Sequence, residues 1–140
     1  MVNLIKYGAF CAILFFSKEM SMDLRYFTTD EFACPCCKLS KINVEFADKL
    51  DAAREKSGIP FRVTSGYRCQ KHNRAVGGKP DSAHTRGYAA DIVAATSRER
   101  YLIIKALLDV GFNRIGIDVK RGFIHVDCDP DKTENLIWGY

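Results

Sequence analysis

One carboxylate constrains this chain more than any other residue. Tyr88–Ala94 reads Y-A-A-D-I-V-A, a short buried strand with Asp91 at its centre. A carboxylate inside an apolar strand is costly unless it is paired, hydrogen-bonded or bound to a metal. Any fold of this sequence must therefore bring partners to Asp91. The chain has three histidines, and two of them are placed to serve. His84 precedes Asp91 in S-A-H-T-R-G-Y-A-A-D-I, with Gly87 between them to turn the chain back. His125 lies in F-I-H-V-D, at the centre of a second expected strand. Alternation there puts Phe123, His125 and Asp127 on one face and Ile124, Val126 and Cys128 on the other. His72 reads as a loop or turn residue rather than a ligand.

Two neutral imidazoles and a carboxylate suit a zinc ion at about 2.0–2.2 Å, with a fourth position left open. An ion so held lowers the pKa of water towards about 7 and polarises a scissile carbonyl. A developing oxyanion needs a fixed donor, and Arg68 in the turn S-G-Y-R is the candidate. Asp127, on the His125 face, is a candidate to orient that ligand or to act as general base, and Asp118 is a second candidate base. The bland reading, a loop histidine and a turn aspartate with no metal, requires His84 and His125 to lie far apart.

The rest of the chain is consistent with one α+β domain. At 140 residues it is long enough to bury a core without staples. Its net charge of +4 is mild and its basic residues are scattered, which argues against a nucleic-acid surface. A helix is expected over Asn43–Ser57, capped by Asn43 and stopped by Gly58. A half-buried strand is expected at Ile59–Ser65, and a helical turn at His72–Ala75. A second long helix is expected over Arg98–Val110, capped by Ser97, with Tyr101, Ile104, Ala106, Leu107 and Leu108 on its apolar side. Strands Arg114–Asp118 and Phe123–Cys128 are joined by V-K-R-G, with Gly122 suited to the turn. Trp138 is expected to pack back onto the body. Helices flanking a small, mostly antiparallel sheet follow.

Two stretches keep alternatives open. Met1–Phe16 begins with one cation, Lys6, followed by the apolar run Tyr7–Phe16, about the length of a signal-peptide core and short for a bilayer span. A weak export signal, a membrane tether and a start at Met20 or Met22 are the three readings; membrane contact is expected only if the segment is real. The domain proper is expected over 23–140. Further on, Cys34-x-x-Cys37 has the spacing of half a structural zinc site, which Cys69 and Cys128 are available to complete. A disulfide or plain thiols are the alternatives.

The motifs S-G-Y-R-C at Ser65–Cys69, H-N-R-A-V-G-G at His72–Gly78, S-A-H-T-R-G-Y-A-A-D-I and F-I-H-V-D, followed by a late Trp, resemble one known family. They resemble the zinc peptidases of the D-Ala-D-Ala carboxypeptidase/hedgehog-like class, nearest to the branch of phage lysis proteins and murein endopeptidases. The resemblance spans Phe27 to Trp138 and implies that fold. It implies Zn2+ held by His84, Asp91 and His125, with Arg68 stabilising the substrate carbonyl. It also implies cleavage of peptidoglycan peptides by a monomer acting in the periplasm or cell wall, or made in a host cytoplasm and released to the wall. Many members carry an acid/base residue two or three positions before the last ligand, where this chain has Phe123 and Gly122. That departure keeps a second reading open: a hedgehog-like zinc module that binds without hydrolysing.

Overall fold

The computed structural model describes residues 22–140; the apolar N-terminal run, and the readings made of it, lie outside them. Five strands form one mixed sheet: β1 (Val63–Ser65), β2 (Ala89–Val93), β3 (Arg114–Asp118), β4 (Phe123–Asp127) and β5 (Leu136–Gly139), in the order β1-β2-β4-β3-β5. Only the β3–β5 pair is parallel. The α+β, mostly antiparallel architecture expected from the sequence is the one formed.

Register decides what faces what. Asp91, His125, Gly116 and Trp138 lie side by side in one row across β2, β4, β3 and β5. Ala89, Asp127, Arg114 and Leu136 form the next row. Because side chains alternate along each strand, both rows point to the same face. The other face carries Ala90, Ile92, Ile115, Ile124 and Val126, all fully buried.

That apolar face packs against two helices, α1 (Val44–Ser57) and α3 (Ser97–Asp109). Phe46 and Leu50 from α1 meet Ile103 and Leu107 from α3, each without solvent exposure. Each such side chain contributes roughly 1.5–3 kcal/mol by leaving water. Phe46 and Phe112 meet edge to face at 5.6 Å. The helix between them in sequence, α2 (Gln70–Ala75), is short and lies beside the site rather than in the core. Among the described residues no helix is long and apolar enough to cross a membrane.

Several boundaries differ from expectation for local reasons. Asn43 does cap α1, its side chain accepting the Phe46 N–H at 2.9 Å, and Gly58 ends it at φ 69. In α3 the cap is Thr96, not Ser97: Thr96 Oγ1 accepts the Glu99 N–H while Glu99 returns to the Thr96 N–H, a capping box. Ile103 rather than Tyr101 or Leu108 faces the core, and Tyr101 is 66% exposed. The first strand spans only Val63–Ser65, although the Arg62 carbonyl still accepts the Val93 N–H at 2.9 Å. Trp138 belongs to β5 and lies on the polar face, not in the core.

Candidate metal centre and active site

His84, Asp91 and His125 come together at the base of a cleft of about 690 Å3, and all three are buried. Asp91 and His125 meet because their strands pair in direct register. His84 arrives by a different route, on a single 3-10 turn, Ala83–Arg86, capped by Ser82. Gly87 then reverses the chain into β2 at φ 79. A side chain there would also strike the Lys41 carbonyl, 2.0 Å from where its Cβ would stand.

The hydrogen bonds around the two rings fix which nitrogens face inward. His84 Nδ1 lies 2.7 Å from the Gly66 carbonyl, which only accepts, so Nδ1 carries the proton and Nε2 is a bare lone pair. His125 Nε2 donates to Asp127 Oδ2 at 2.8 Å, which leaves Nδ1 inward. Both inward nitrogens point at the same atom: Asp91 Oδ1 is 3.3 Å from His84 Nε2 and 3.0 Å from His125 Nδ1. Three lone pairs converging on one point, out of water, call for a cation between them. The donor set and its tautomers fit a divalent metal ion of the zinc type.

Charge in the site follows the same logic. Burial alone would raise the Asp91 carboxyl, but the two imidazoles beside it, His125 and His84, outweigh it and hold Asp91 far below the usual carboxylate range. Burial alone would lower His125; Asp127 and Asp91 outweigh it and raise His125 above the ordinary imidazole value. In the absence of metal, a proton on His125 plays the cation's part.

Arg68 stands where expected, on the cleft wall. Its Nη2 donates to Asp91 Oδ2 at 3.0 Å and its Nε to Ser65 Oγ at 2.8 Å. The turn that carries it is pressed onto the Thr29–Phe32 turn so closely that a Cβ at Gly66 would lie 2.6 Å from Phe32 Cα. Asp127 is 1% exposed and fully engaged, receiving His125 on Oδ2 and Arg114 Nε on Oδ1 at 2.7 Å. Burial would raise its pKa, and His125 and Arg114 reverse that. Asp118 shares the polar face but spends both oxygens on Arg121, accepting its N–H at 2.7 Å and its Nε at 2.6 Å. It does not line the cleft.

Two residues enter this site in places that the sequence did not assign. Arg114 bridges Asp127 to the Thr133 carbonyl and stacks on the Trp138 ring at 5.3 Å. Trp138 itself lies 5.6 Å from the His125 ring. It can do so because β3 has a glycine beneath it: a Cβ on Gly116 would sit 2.7 Å from the indole. The alternation of R-I-G-I-D marks Arg114 and Gly116 as sharing a face, but only the register shows which partners they meet. Lys79, Lys132 and Arg121 also line the cleft, and Lys132 pairs with Asp81 at 3.1 Å across it.

A family model described as Peptidase M15 matches residues 25–127, more than half the chain and all three converging residues. No curated protein sequence matches it.

Proposed function

The chain belongs to the M15 peptidases, a zinc D-Ala-D-Ala carboxypeptidase-like family, and from that premise we propose that it hydrolyses peptide bonds in peptidoglycan stem peptides or cross-bridges. As an M15 member it is a zinc metallopeptidase. The observation that carries the finer reading is the convergence of His84 Nε2, His125 Nδ1 and Asp91 Oδ1 at the base of an open cleft. Those three residues would hold the zinc. Bound there, the ion supplies Lewis acidity that activates water and polarises the scissile carbonyl.

The remaining residues bind, orient and hold protons. Arg68 keeps Asp91 Oδ2 engaged, and its other donors are set to meet the substrate carbonyl as charge builds on it. The Gly66 carbonyl and Asp127 keep the outer imidazole protons on His84 Nδ1 and His125 Nε2, so the inner nitrogens stay free. With both oxygens occupied, Asp127 is a positioning residue and not a proton acceptor. Lys79, Arg121 and Lys132 give the cleft an excess of positive charge, which suits the carboxylates of murein peptides. Exposed Ile137 and Tyr140 offer apolar contact beside them.

The test is mass spectrometry of muropeptides digested with and without a chelator. Hydrolysis that stops with chelator and returns with zinc is expected, and the masses identify the bond. Asp91→Ala should lose the active-site zinc and reduce turnover by at least about a thousandfold. A protein that binds zinc at this site yet cleaves no muropeptide would sink the proposal in favour of a binding module.

A further inference from the structure

We propose a second zinc site, separate from the first, built from the thiolates of Cys34, Cys37 and Cys69 and serving as a structural clamp. The three sulfurs lie within 4.8 Å of one another. Cys34 Sγ and Cys69 Sγ are 3.7 Å apart. Two thiolates on one tetrahedral zinc, each bonded at about 2.3 Å, are separated by about 3.8 Å, whereas a disulfide needs about 2.0 Å.

The backbone around these sulfurs is arranged to stabilise negative charge. Cys34 Sγ accepts the Cys69 N–H at 3.5 Å and faces the N–H groups of Cys36 and Cys37. Cys37 Sγ faces the N–H of Leu39, and Cys69 Sγ accepts the His72 N–H at 3.4 Å at the start of α2. The loop Cys34–Leu39 folds into a knuckle that allows this. Cys34 accepts the Lys38 N–H at 2.8 Å and donates to Leu39 O at 2.8 Å, with Lys38 in the left-handed region at φ 64. Cys36 stands close enough to Cys69 to interact with it. Cys128, the other cysteine expected to be available, packs against the apolar core and takes no part.

The position says what the clamp holds. Cys34 lies one residue past the Thr29–Phe32 turn, and Cys69 follows directly on Arg68. Tyr67 N–H already donates to the Phe32 carbonyl at 2.8 Å, so the two segments touch along their length. An ion across Cys34, Cys37 and Cys69 locks the Arg68-bearing turn against the body of the domain. An all-thiolate site of this kind is closed to substrate and contributes folding free energy.

Metal content and cobalt spectroscopy test this independently of peptidase activity. The full chain, purified with zinc, is expected to hold two zinc ions; Asp91→Ala and Cys37→Ser are each expected to hold one. Cobalt-loaded Asp91→Ala should display thiolate-to-cobalt charge-transfer absorption, and cobalt-loaded Cys37→Ser should not. If Cys37→Ser fails to fold, the Asp91→Ala spectrum alone decides. An Asp91→Ala chain without metal or without that absorption overturns the clamp. So does an intact mass short of two hydrogens with Cys34 and Cys69 linked in the peptide map. Neither result bears on whether the first site hydrolyses murein.

Discussion

At the scale of single residues, the question is what each carboxylate is committed to. Asp91 was legible from the sequence because a charged group in an apolar strand announces a partner. Asp127 was legible as a residue that orients His125 or acts as general base, and the Arg114 and His125 contacts that hold both its oxygens favour the first. Replacing it distinguishes positioning from base catalysis. In Asp127→Asn the side-chain amide no longer holds the proton on His125 Nε2, so zinc affinity is expected to fall about 10- to 100-fold. Turnover at saturating zinc should largely recover, as measured by chelator competition alongside muropeptide kinetics. A large loss of turnover with affinity unchanged would identify Asp127 as the general base instead. Arg114 went unread because an arginine near the end of an apolar strand looks the same whether it meets solvent or a buried aspartate.

At the scale of elements, the loops do less than the strands. Two of the three converging residues sit at paired positions of β2 and β4, and only His84 depends on a turn. The parallel β5 adds Trp138 over Gly116 and closes one wall of the cleft. Nothing in the local pattern of L-I-W-G specifies that placement, because a parallel partner two strands back along the chain is a non-local pairing. Gly116→Ala tests it. A methyl 2.7 Å from the indole forces the ring away from His125, at a cost of about 1–3 kcal/mol. Since Trp138 is the chain's single tryptophan, its fluorescence reports the shift directly. Unchanged emission and unchanged melting would mean that the indole does not rest on this glycine.

At the scale of the whole molecule, one sheet separates an apolar core from a polar site, and protons and metal compete for the polar side. In the metal-free chain the raised His125 pKa stabilises the fold below the unfolded imidazole value of about 6.5. That contribution is lost as pH rises through the raised folded value. The depressed Asp91 pKa acts oppositely: its stabilisation is present above the unfolded carboxyl value of about 3.9 and is lost as pH falls through the depressed one. In the proposed site zinc displaces the His125 proton, so its affinity there is expected to rise with pH. Melting temperatures of the Cys37→Ser chain with and without zinc, from about pH 5 to 8, should therefore diverge as pH increases. A gap that is constant or narrows would place the ion elsewhere.

The sequence alone determined the helices, the β3–β4 hairpin and the set His84, Asp91 and His125. Periodicity, caps and turn glycines are local, and a buried charge is conspicuous wherever it falls. It also left Cys34 and Cys37 as half of something. Tertiary structure decided the rest: the strand order, the placement of Trp138 and Arg114, the inward-facing imidazole nitrogens, and the choice of Cys69 over Cys128 beside the cysteine knuckle. These depend on which distant segments touch. Register and packing settle that between elements, and no stretch of the chain encodes it by itself.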